Sequence, residues 1–271
     1  MPELPEVETT RRGLEPHLVG HRFIDITVSQ PRLRWPVPKD LEKKVSSHEI
    51  QAVRRRGKYL LIDLDNGTLI LHLGMSGSLR LSVGRNQKNP HDHVIFTLDN
   101  GSRLIFRDPR RFGAVLWTQS PPESHPLLSK LGPEPLSDGF NGDYLYRKSR
   151  NRKQNIKAFL MDQHIVVGVG NIYANEALFC AGIRPTRAAG RISQKRYQRL
   201  SQCIKEVLLH AIGQGGSTLR DFVNEQGEPG YFQLTLSVYG REGLPCPRCA
   251  TPIKRITLGQ RATYYCPRCQ H

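Results

Sequence analysis

Cys246-Pro247-Arg248-Cys249 is followed, sixteen residues later, by Cys266-Pro267-Arg268-Cys269. No other feature of the chain restricts its fold as tightly. Two Cys-x2-Cys pairs at this distance have the spacing of a tetrahedral four-thiolate zinc site. The stretches between the pairs have strand character, so a two-stranded ribbon around one zinc ion is expected. Four protein ligands leave no open coordination position, which makes the metal structural rather than catalytic. The alternative, unliganded thiols in a tail, explains neither the spacing nor the pairing. The segment carries Arg248, Lys254, Arg255, Arg261 and Arg268 and has no acidic residue after Glu242. That suits a polyanion's groove or backbone, but a ribbon alone specifies no function.

The rest of the composition points the same way. Across 271 residues, 40 Lys+Arg face 24 Asp+Glu, a formal charge of +16. Such an excess favours nucleic acid as the partner, without separating DNA from RNA or from an indifferent basic surface. The N-terminus is acidic and broken by prolines, so no secretory signal is expected, and no run is long enough to span a bilayer. A reducing cytoplasm fits the cysteine usage. Cys180 and Cys203, each alone in a helical pattern, are expected to be small buried apolar residues.

The opening Met1-Pro2-Glu3-Leu4-Pro5-Glu6-Val7-Glu8 is unusual for a terminus, a region ordinarily loose and bland. Removal of Met1 is expected, because a small residue follows it. That exposes a secondary amine at Pro2. An α-amine has a pKa of roughly 7.7–8.0, so part of it is neutral and nucleophilic near pH 7. Such an amine can attack an aldehyde-like carbon and form an iminium, and Glu3 beside it can move a proton. Residues 5–13 also carry the marks of a helix start, with Pro in the first turn, carboxylates at the positive end of the dipole and Gly13 past the end. Glu6 and Glu8 are accounted for by that helix.

Residues 22–118 alternate short apolar runs with turns. Strands are expected at 23–28, 58–64, 68–73, 93–98 and 103–106. Asp65-Asn66-Gly67 and Asp99-Asn100-Gly101 are hairpin signals. Close strands without long intervening helices imply a β-sandwich or barrel. Residues 121–135 are proline-rich and form a connector. Beyond it the pattern is helical: one helix closes at Lys157–Met161, another covers 172–181 and a longer one 194–212. Between the first two, Val166-Val167-Gly168-Val169-Gly170-Asn171 is a glycine-rich turn that opens a helix. Its N–H groups can hold a phosphate; an ordinary helix connection is the alternative, in which Asn171 is a cap. Arg54-Arg55-Arg56 is expected to be a solvated charge run, with Lys58 at the start of a strand where it can enter a cleft. Two tight loops, His72-Leu73-Gly74-Met75-Ser76-Gly77 and Arg107-Asp108-Pro109-Arg110-Arg111-Phe112-Gly113, carry Met75 and Phe112. These are either core residues or wedges for a base stack.

Taken in order, Pro-Glu-Leu-Pro-Glu-Val-Glu-Thr, Gly-Lys-Tyr-Leu, His-Leu-Gly-Met-Ser-Gly, Asp-Pro-Arg-Arg-Phe-Gly, Gly-Val-Gly-Asn-Ile-Tyr-Ala and the cysteine ribbon resemble the formamidopyrimidine-DNA glycosylase family over essentially the full chain. Leu4 and Val7 favour this branch over the related endonuclease VIII branch. The resemblance implies an α+β multidomain fold: an N-terminal catalytic β-sandwich flanked by helices (1–133), a helical helix-two-turn-helix DNA-binding domain (134–236) and a four-cysteine zinc finger (237–271), a β-hairpin ribbon. It implies a bifunctional glycosylase and lyase of base-excision repair that flips an oxidised purine out of duplex DNA. Pro2 would be the nucleophile and Glu3 its acid/base, with Lys58 serving β-elimination and Arg261 δ-elimination. Met75, Arg110 and Phe112 would fill the void, with Arg110 facing the orphaned cytosine. His91, Lys153, Lys157 and Asn171 would meet the backbone or phosphates. Ser217 to Phe222 would form a loop over the flipped base, and Glu176 would orient groups in the cleft. One structural zinc on Cys246, Cys249, Cys266 and Cys269, damaged double-stranded DNA as partner, no membrane, a monomeric state and a bacterial cytoplasmic, nucleoid-associated location complete the expectation. A non-catalytic ribbon-bearing DNA binder and an RNA- or ribosome-associated protein are the competing readings. Both account for charge and cysteines, and neither accounts for Pro2-Glu3 or Lys58.

Overall fold

The computed structural model describes residues 2–82, 89–215 and 236–271. Met1 and the loop Ser217 to Phe222 lie outside the described residues. The chain forms two compact units, one running through Ser129, the other comprising Lys130–Gln214 and the C-terminal stretch.

The first unit starts with helix α1 (Leu4–Leu18). It runs past the end expected at Gly13 and includes Pro16. Burial explains the extension. Val7, Leu14 and Leu18 lie on one stripe and enter the same core as the strands, with Leu18 fully buried. Ending at Gly13 would leave Leu14 and Leu18 in water, at roughly 2 kcal/mol each.

Eight strands follow: β1 (Phe23–Val28), then after the short helix α2 (Leu41–Val45) β2 (Ile50–Arg56), β3 (Tyr59–Leu64), β4 (Gly67–His72), β5 (Ser78–Ser82), β6 (Asp92–Leu98), β7 (Arg103–Arg107) and β8 (Ala114–Thr118). They make two antiparallel four-stranded sheets, ordered β1-β6-β7-β5 and β2-β3-β4-β8. The β3–β4 register sets Leu60 opposite Leu71 and Ile62 opposite Leu69. These residues meet Phe96, Leu104 and Phe106 of the other sheet in one core. The sandwich is the expected one.

Strand β2 corrects one expectation, because the arginine run belongs to it and is not simply a solvated face. β2 is an edge strand, so long polar side chains can leave it sideways while Ile50 and Val53 fill the core. Arg54 pairs with Asp63, and Arg55 with Glu8 at 3.0 Å. Arg55 is largely covered.

The second unit holds α3 (Gly142–Ser149), α4 (Ile156–Met161), α5 (Asn171–Cys180), α6 (Gln194–Gly213) and the hairpin β9 (Lys254–Leu258)–β10 (Arg261–Tyr265). Asn141 and Asn155 cap α3 and α4 by accepting from Tyr144 N–H and Ala158 N–H. The helices share an apolar core that includes Phe140, Phe159, Tyr173 and Tyr197. Burial pushes the Tyr197 hydroxyl up to about 12, and it donates to the Ala189 carbonyl at 3.0 Å. The ribbon's own core is small: Val238, Cys246, Ile253 and Cys266, completed by Phe179 from α5. No helix among the described residues is long and apolar enough to cross a membrane.

A second expectation fails here. Cys180 and Cys203 are not separate apolar fillers; they are joined as a disulfide between the end of α5 and the middle of α6. Their Cα atoms are 5.7 Å apart, inside the range a disulfide spans. Their 23-residue separation in sequence hid the pairing.

Candidate active site and DNA-binding surfaces

In the first unit, Glu3, 2 % exposed, is the N-cap residue of α1, and Pro2 immediately precedes it. The Glu6 carboxylate accepts the Glu3 N–H at 2.7 Å, and the Glu3 carbonyl accepts from Val7 N–H. The peptide immediately behind Pro2 is thereby fixed. Glu6 does more than begin a helix: it sets where the terminus points. Glu8 lies between Arg11, Arg12 and Arg55. Burial pushes its carboxyl up, but hydrogen bonds from the three guanidinium groups outweigh that and hold it below the usual carboxylate range. Arg55 also donates to the Gly57 carbonyl at 3.0 Å. One ion-pair chain therefore ties the start of α1 to the β2–β3 turn, where Gly57 takes φ +57° and Lys58 follows.

Lys58 adjoins Tyr59, whose cross-strand partner is His72. The two rings pack with centroids 4.7 Å apart. Burial pushes the His72 imidazole down to about 4, and the positive charges of Lys58 and Arg34 add to the shift. His72 is therefore neutral near pH 7. Its Nδ1 accepts the Gly74 N–H at 3.0 Å, which puts the ring proton on Nε2. Sequence reasoning quoted His72 within a motif but gave it no role. Its position at the end of an apolar strand, ahead of a glycine turn, was the available signal.

Met75 and Phe112 are both exposed, at 41 % and 43 %. They are therefore not core residues. Arg110 is also exposed, and its guanidinium carbon lies 5.0 Å from the centre of the Phe112 ring. Their two loops touch backbone to backbone. Gly74 has φ +63°, and a Cβ there would lie 2.4 Å from the Phe112 carbonyl carbon, so only glycine fits. Asp108, fully buried, joins the loops: one carboxylate oxygen accepts from Ser76 Oγ at 3.1 Å, the other from Gly113 N–H at 2.7 Å. Its carbonyl pairs with His93 Nε2 at 2.7 Å. His91, half-buried, accepts at its carbonyl from Asp108 N–H, alongside the same junction. Sequence reasoning did not single out Asp108.

In the second unit, Lys153 is exposed between α3 and α4. Lys157, one turn on, is 2 % exposed. Its ammonium donates to the Ala262 carbonyl at 2.9 Å and to Thr263 Oγ1 at 2.7 Å. Asn171, at the first position of α5, donates to the same Ala262 carbonyl at 3.2 Å. Asn175, fully buried and unnoticed in the sequence, accepts from Tyr264 N–H at 2.8 Å. Lys157, Asn171 and Asn175 thus hold β10 in place, and Arg261 is the first residue of that strand. Lys157 and Arg261 help line a cavity of about 190 Å³ whose wall also includes Asn155 and Asp162. Glu176, buried, accepts from the N–H groups of Ser237, Val238 and Tyr239 at 2.8–2.9 Å. It fixes the backbone where the chain enters the ribbon, and the Tyr239 ring packs on Tyr264.

The four ribbon sulfurs lie within 4.8 Å of one another. The closest pairs are 3.4, 3.5 and 3.9 Å apart. A tetrahedron of thiolates at about 2.3 Å from zinc has edges of about 3.8 Å. Arg248 N–H and Cys269 N–H point at the Cys246 and Cys266 sulfurs, both at 3.4 Å. The four cysteines are positioned to bind one zinc ion, with backbone donors to temper the thiolate charge.

Family models match the chain in three consecutive parts: the formamidopyrimidine-DNA glycosylase N-terminal domain over residues 1–115, its H2TH domain over 131–223, and a zinc finger found in FPG and IleRS over 243–271. A formamidopyrimidine-DNA glycosylase of Methylococcus capsulatus is 58 % identical over 270 residues, covering all of both chains. Among solved structures, the Lactococcus lactis Fpg (MutM) in complex with an N7-benzyl-Fapy-dG containing DNA superposes with a TM-score of 0.90 at 36 % identity, with 99 % of each chain covered. A MutM in complex with carbocyclic 8-oxo-G containing DNA gives 0.89 at 37 %, again with 99 % of each chain covered. With full-length identity near three residues in five and every part of the fold accounted for, the chain belongs to the formamidopyrimidine-DNA glycosylase family.

Proposed function

We propose that this protein is a base-excision repair enzyme, a DNA glycosylase and apurinic/apyrimidinic-site lyase that removes oxidised purines, 8-oxoguanine and formamidopyrimidines, from duplex DNA. The observation that carries the reading is the fixed terminus: Glu6 clamps the peptide behind Pro2, and the Glu8–Arg55 pair ties that helix to the turn bearing Lys58. A loose terminus needs no such clamp, whereas a nucleophile must be aimed.

In this mechanism the target nucleotide leaves the stack. The Pro2 nitrogen attacks C1′, the glycosidic bond breaks, and the base departs with its electron pair and a proton. Glu3 then gives a proton to the sugar ring oxygen O4′, the C1′–O4′ bond breaks, and the Pro2 nitrogen lone pair closes an iminium at C1′. The resulting iminium acidifies C2′; Lys58 takes that proton and the 3′ phosphate leaves by β-elimination. Arg261 assists loss of the 5′ phosphate by δ-elimination. Met75 and Phe112 fill the vacated stack, and Arg110 presents donors to the acceptor edge of the orphaned cytosine. His91, Lys153 and Asn171 meet the DNA backbone. Lys157, its ammonium buried against β10, acts at that face by carrying the strand that presents Arg261. The zinc ion keeps the ribbon folded. Domain limits of 1–133, 134–236 and 237–271, a monomeric state and a cytoplasmic, nucleoid-associated location belong to the same proposal.

Borohydride trapping on duplexes carrying 8-oxoguanine or thymine glycol tests it. A covalent adduct at Pro2 with the 8-oxoguanine duplex, lost when the Pro2 nitrogen is acetylated, is expected. Turnover with Met1 retained, binding without any adduct, or a preference for thymine glycol would overturn the mechanism or its substrate class.

A further inference from the structure

Cys180 and Cys203 play no part in that chemistry, yet their surroundings are specific. Cys203 is fully buried on α6, whereas Cys180 is partly open at the end of α5. Arg199 Nη2 lies 3.7 Å from the Cys180 sulfur and Glu206 Oε2 lies 3.6 Å from it. The guanidinium favours a thiolate at Cys180, and the carboxylate is placed to take its proton. Both Arg199 and Glu206 are exposed, so the site opens to solvent.

Cys180 also sits within the seat of the zinc ribbon. From the first Cys-x2-Cys turn, the Arg248 guanidinium donates to the Phe179 carbonyl at 3.1 Å and the Cys180 carbonyl at 3.3 Å, and lies over the Phe179 ring at 4.5 Å. From the second, Gln270 Nε2 donates to the Ile183 carbonyl at 2.9 Å, and His271 N–H to the Gly182 carbonyl at 3.1 Å. Both metal-binding turns therefore rest on residues 179–183. That segment is fastened to α6 through Cys203, with Arg196 adding a hydrogen bond to the Gly182 carbonyl.

We propose that Cys180 and Cys203 are a reversible redox pair, oxidised by a hydroperoxide, whose disulfide locks the ribbon's seat to α6 so that the oxidised protein retains its zinc longer. The Cys180 thiolate attacks the peroxide, the O–O bond breaks, and a sulfenic acid and an alcohol or water result. The Cys203 thiol then attacks the Cys180 sulfur, the S–O bond breaks, and water leaves with the Cys203 proton. Two thiols and one hydroperoxide thus give one disulfide, one alcohol or water, and one further water. Intracellular disulfides are chiefly transient or redox-sensing, and a half-open cysteine backed by a buried resolving one is the arrangement such sensing requires.

The test uses the full-length, zinc-loaded protein, reduced and freed of reductant, then treated with one equivalent of hydrogen peroxide. Peptide mapping is expected to find the Cys180–Cys203 link before any oxidation of Cys246, Cys249, Cys266 or Cys269. Zinc transfer to a chromophoric chelator is expected to be slower by about fivefold in the linked form, since closing the crosslink suppresses local opening of the seat. Dithiothreitol should restore the fast rate. Cys203→Ala and the more conservative Cys180→Ser, the latter at a partly open site that tolerates serine, should bind one zinc and transfer it at the fast rate with or without peroxide. Equal transfer rates in the two redox states, oxidation of the ribbon cysteines first, or a peroxide-dependent slowing that persists in both variants would each overturn the proposal.

Discussion

The two units position their functional side chains by opposite means. In the first, Met75, Arg110 and Phe112 are exposed, and stiffness comes from beneath them, where Gly74 permits backbone contact and buried Asp108 joins both loops. In the second, the charged and polar groups themselves are spent on support. Lys157 is buried to hold two atoms of β10, and Asn171 and Asn175 add two further bonds to the same strand. The difference follows from core size. The sandwich has a large core from which loops can be braced, whereas the ribbon's apolar cluster has four buried residues of its own plus Phe179 and needs metal and neighbouring polar groups to persist.

Removing the metal should break this contrast most strongly. Structural zinc in small modules contributes on the order of 10 kcal/mol of folding free energy. Chelation is expected to unfold residues from about Arg241 onward, to release β10 from Lys157 and to abolish DNA affinity, while the sandwich keeps its cooperative melting. Near-UV circular dichroism and hydrogen exchange along the chain distinguish the two regions. Loss of the sandwich at the same chelator concentration would show that the units do not stabilise themselves independently.

Next in size is Asp108→Ala. The substitution strands a buried Gly113 N–H and the Ser76 hydroxyl, and at about 1–3 kcal/mol for each unpaired group the loss should total about 4 kcal/mol. Lesion binding should fall further than stability alone explains, since the wedge loops lose their joint. Asp108→Asn, which keeps an acceptor toward one loop, should recover part of both. A variant that loses stability but keeps full affinity for damaged duplex would show that the loops need no joint to act.

Legibility in the sequence divides along the same line. The four-cysteine spacing, the Asp-Asn-Gly hairpins and the alternating strands are local patterns, and each became the expected element. Residues whose role depends on distant partners were misread or passed over. Arg55 carries the local pattern of a solvated charge, yet it pairs with Glu8, 47 residues away. Helix α1 outran Gly13 because Leu14 and Leu18 had a sandwich to enter. Lys157 carries the signature of an exposed cation, yet its partners lie 105 and 106 residues on. Asp108 and Asn175 are polar residues whose burial no local pattern announces. Of the candidate site, the four zinc-binding cysteines were legible from their spacing, and Pro2, Glu3 and Lys58 were legible as residue types at telling positions. The groups that brace it were not, because bracing is tertiary.

His72 provides the finest probe of the first unit's bracing. Its imidazole is pushed down to about 4 by burial and by the charges of Lys58 and Arg34, against about 6.5 in an unfolded chain. As pH falls the unfolded state binds a proton first. The neutral ring's contribution is therefore fully present above about pH 6.5, declines between 6.5 and 4, and is lost below. The depression corresponds to about 3 kcal/mol across that window. Urea denaturation at stepped pH should show the native protein losing that much more stability than His72→Gln, which has no titrating ring. Because His72 Nδ1 accepts the Gly74 N–H beside Met75, hydrogen exchange at Gly74 should quicken over the same window. If the native protein and His72→Gln lose stability in parallel from pH 6.5 to 4, the imidazole does not brace the loop, and the exposed wedge depends on Asp108 alone.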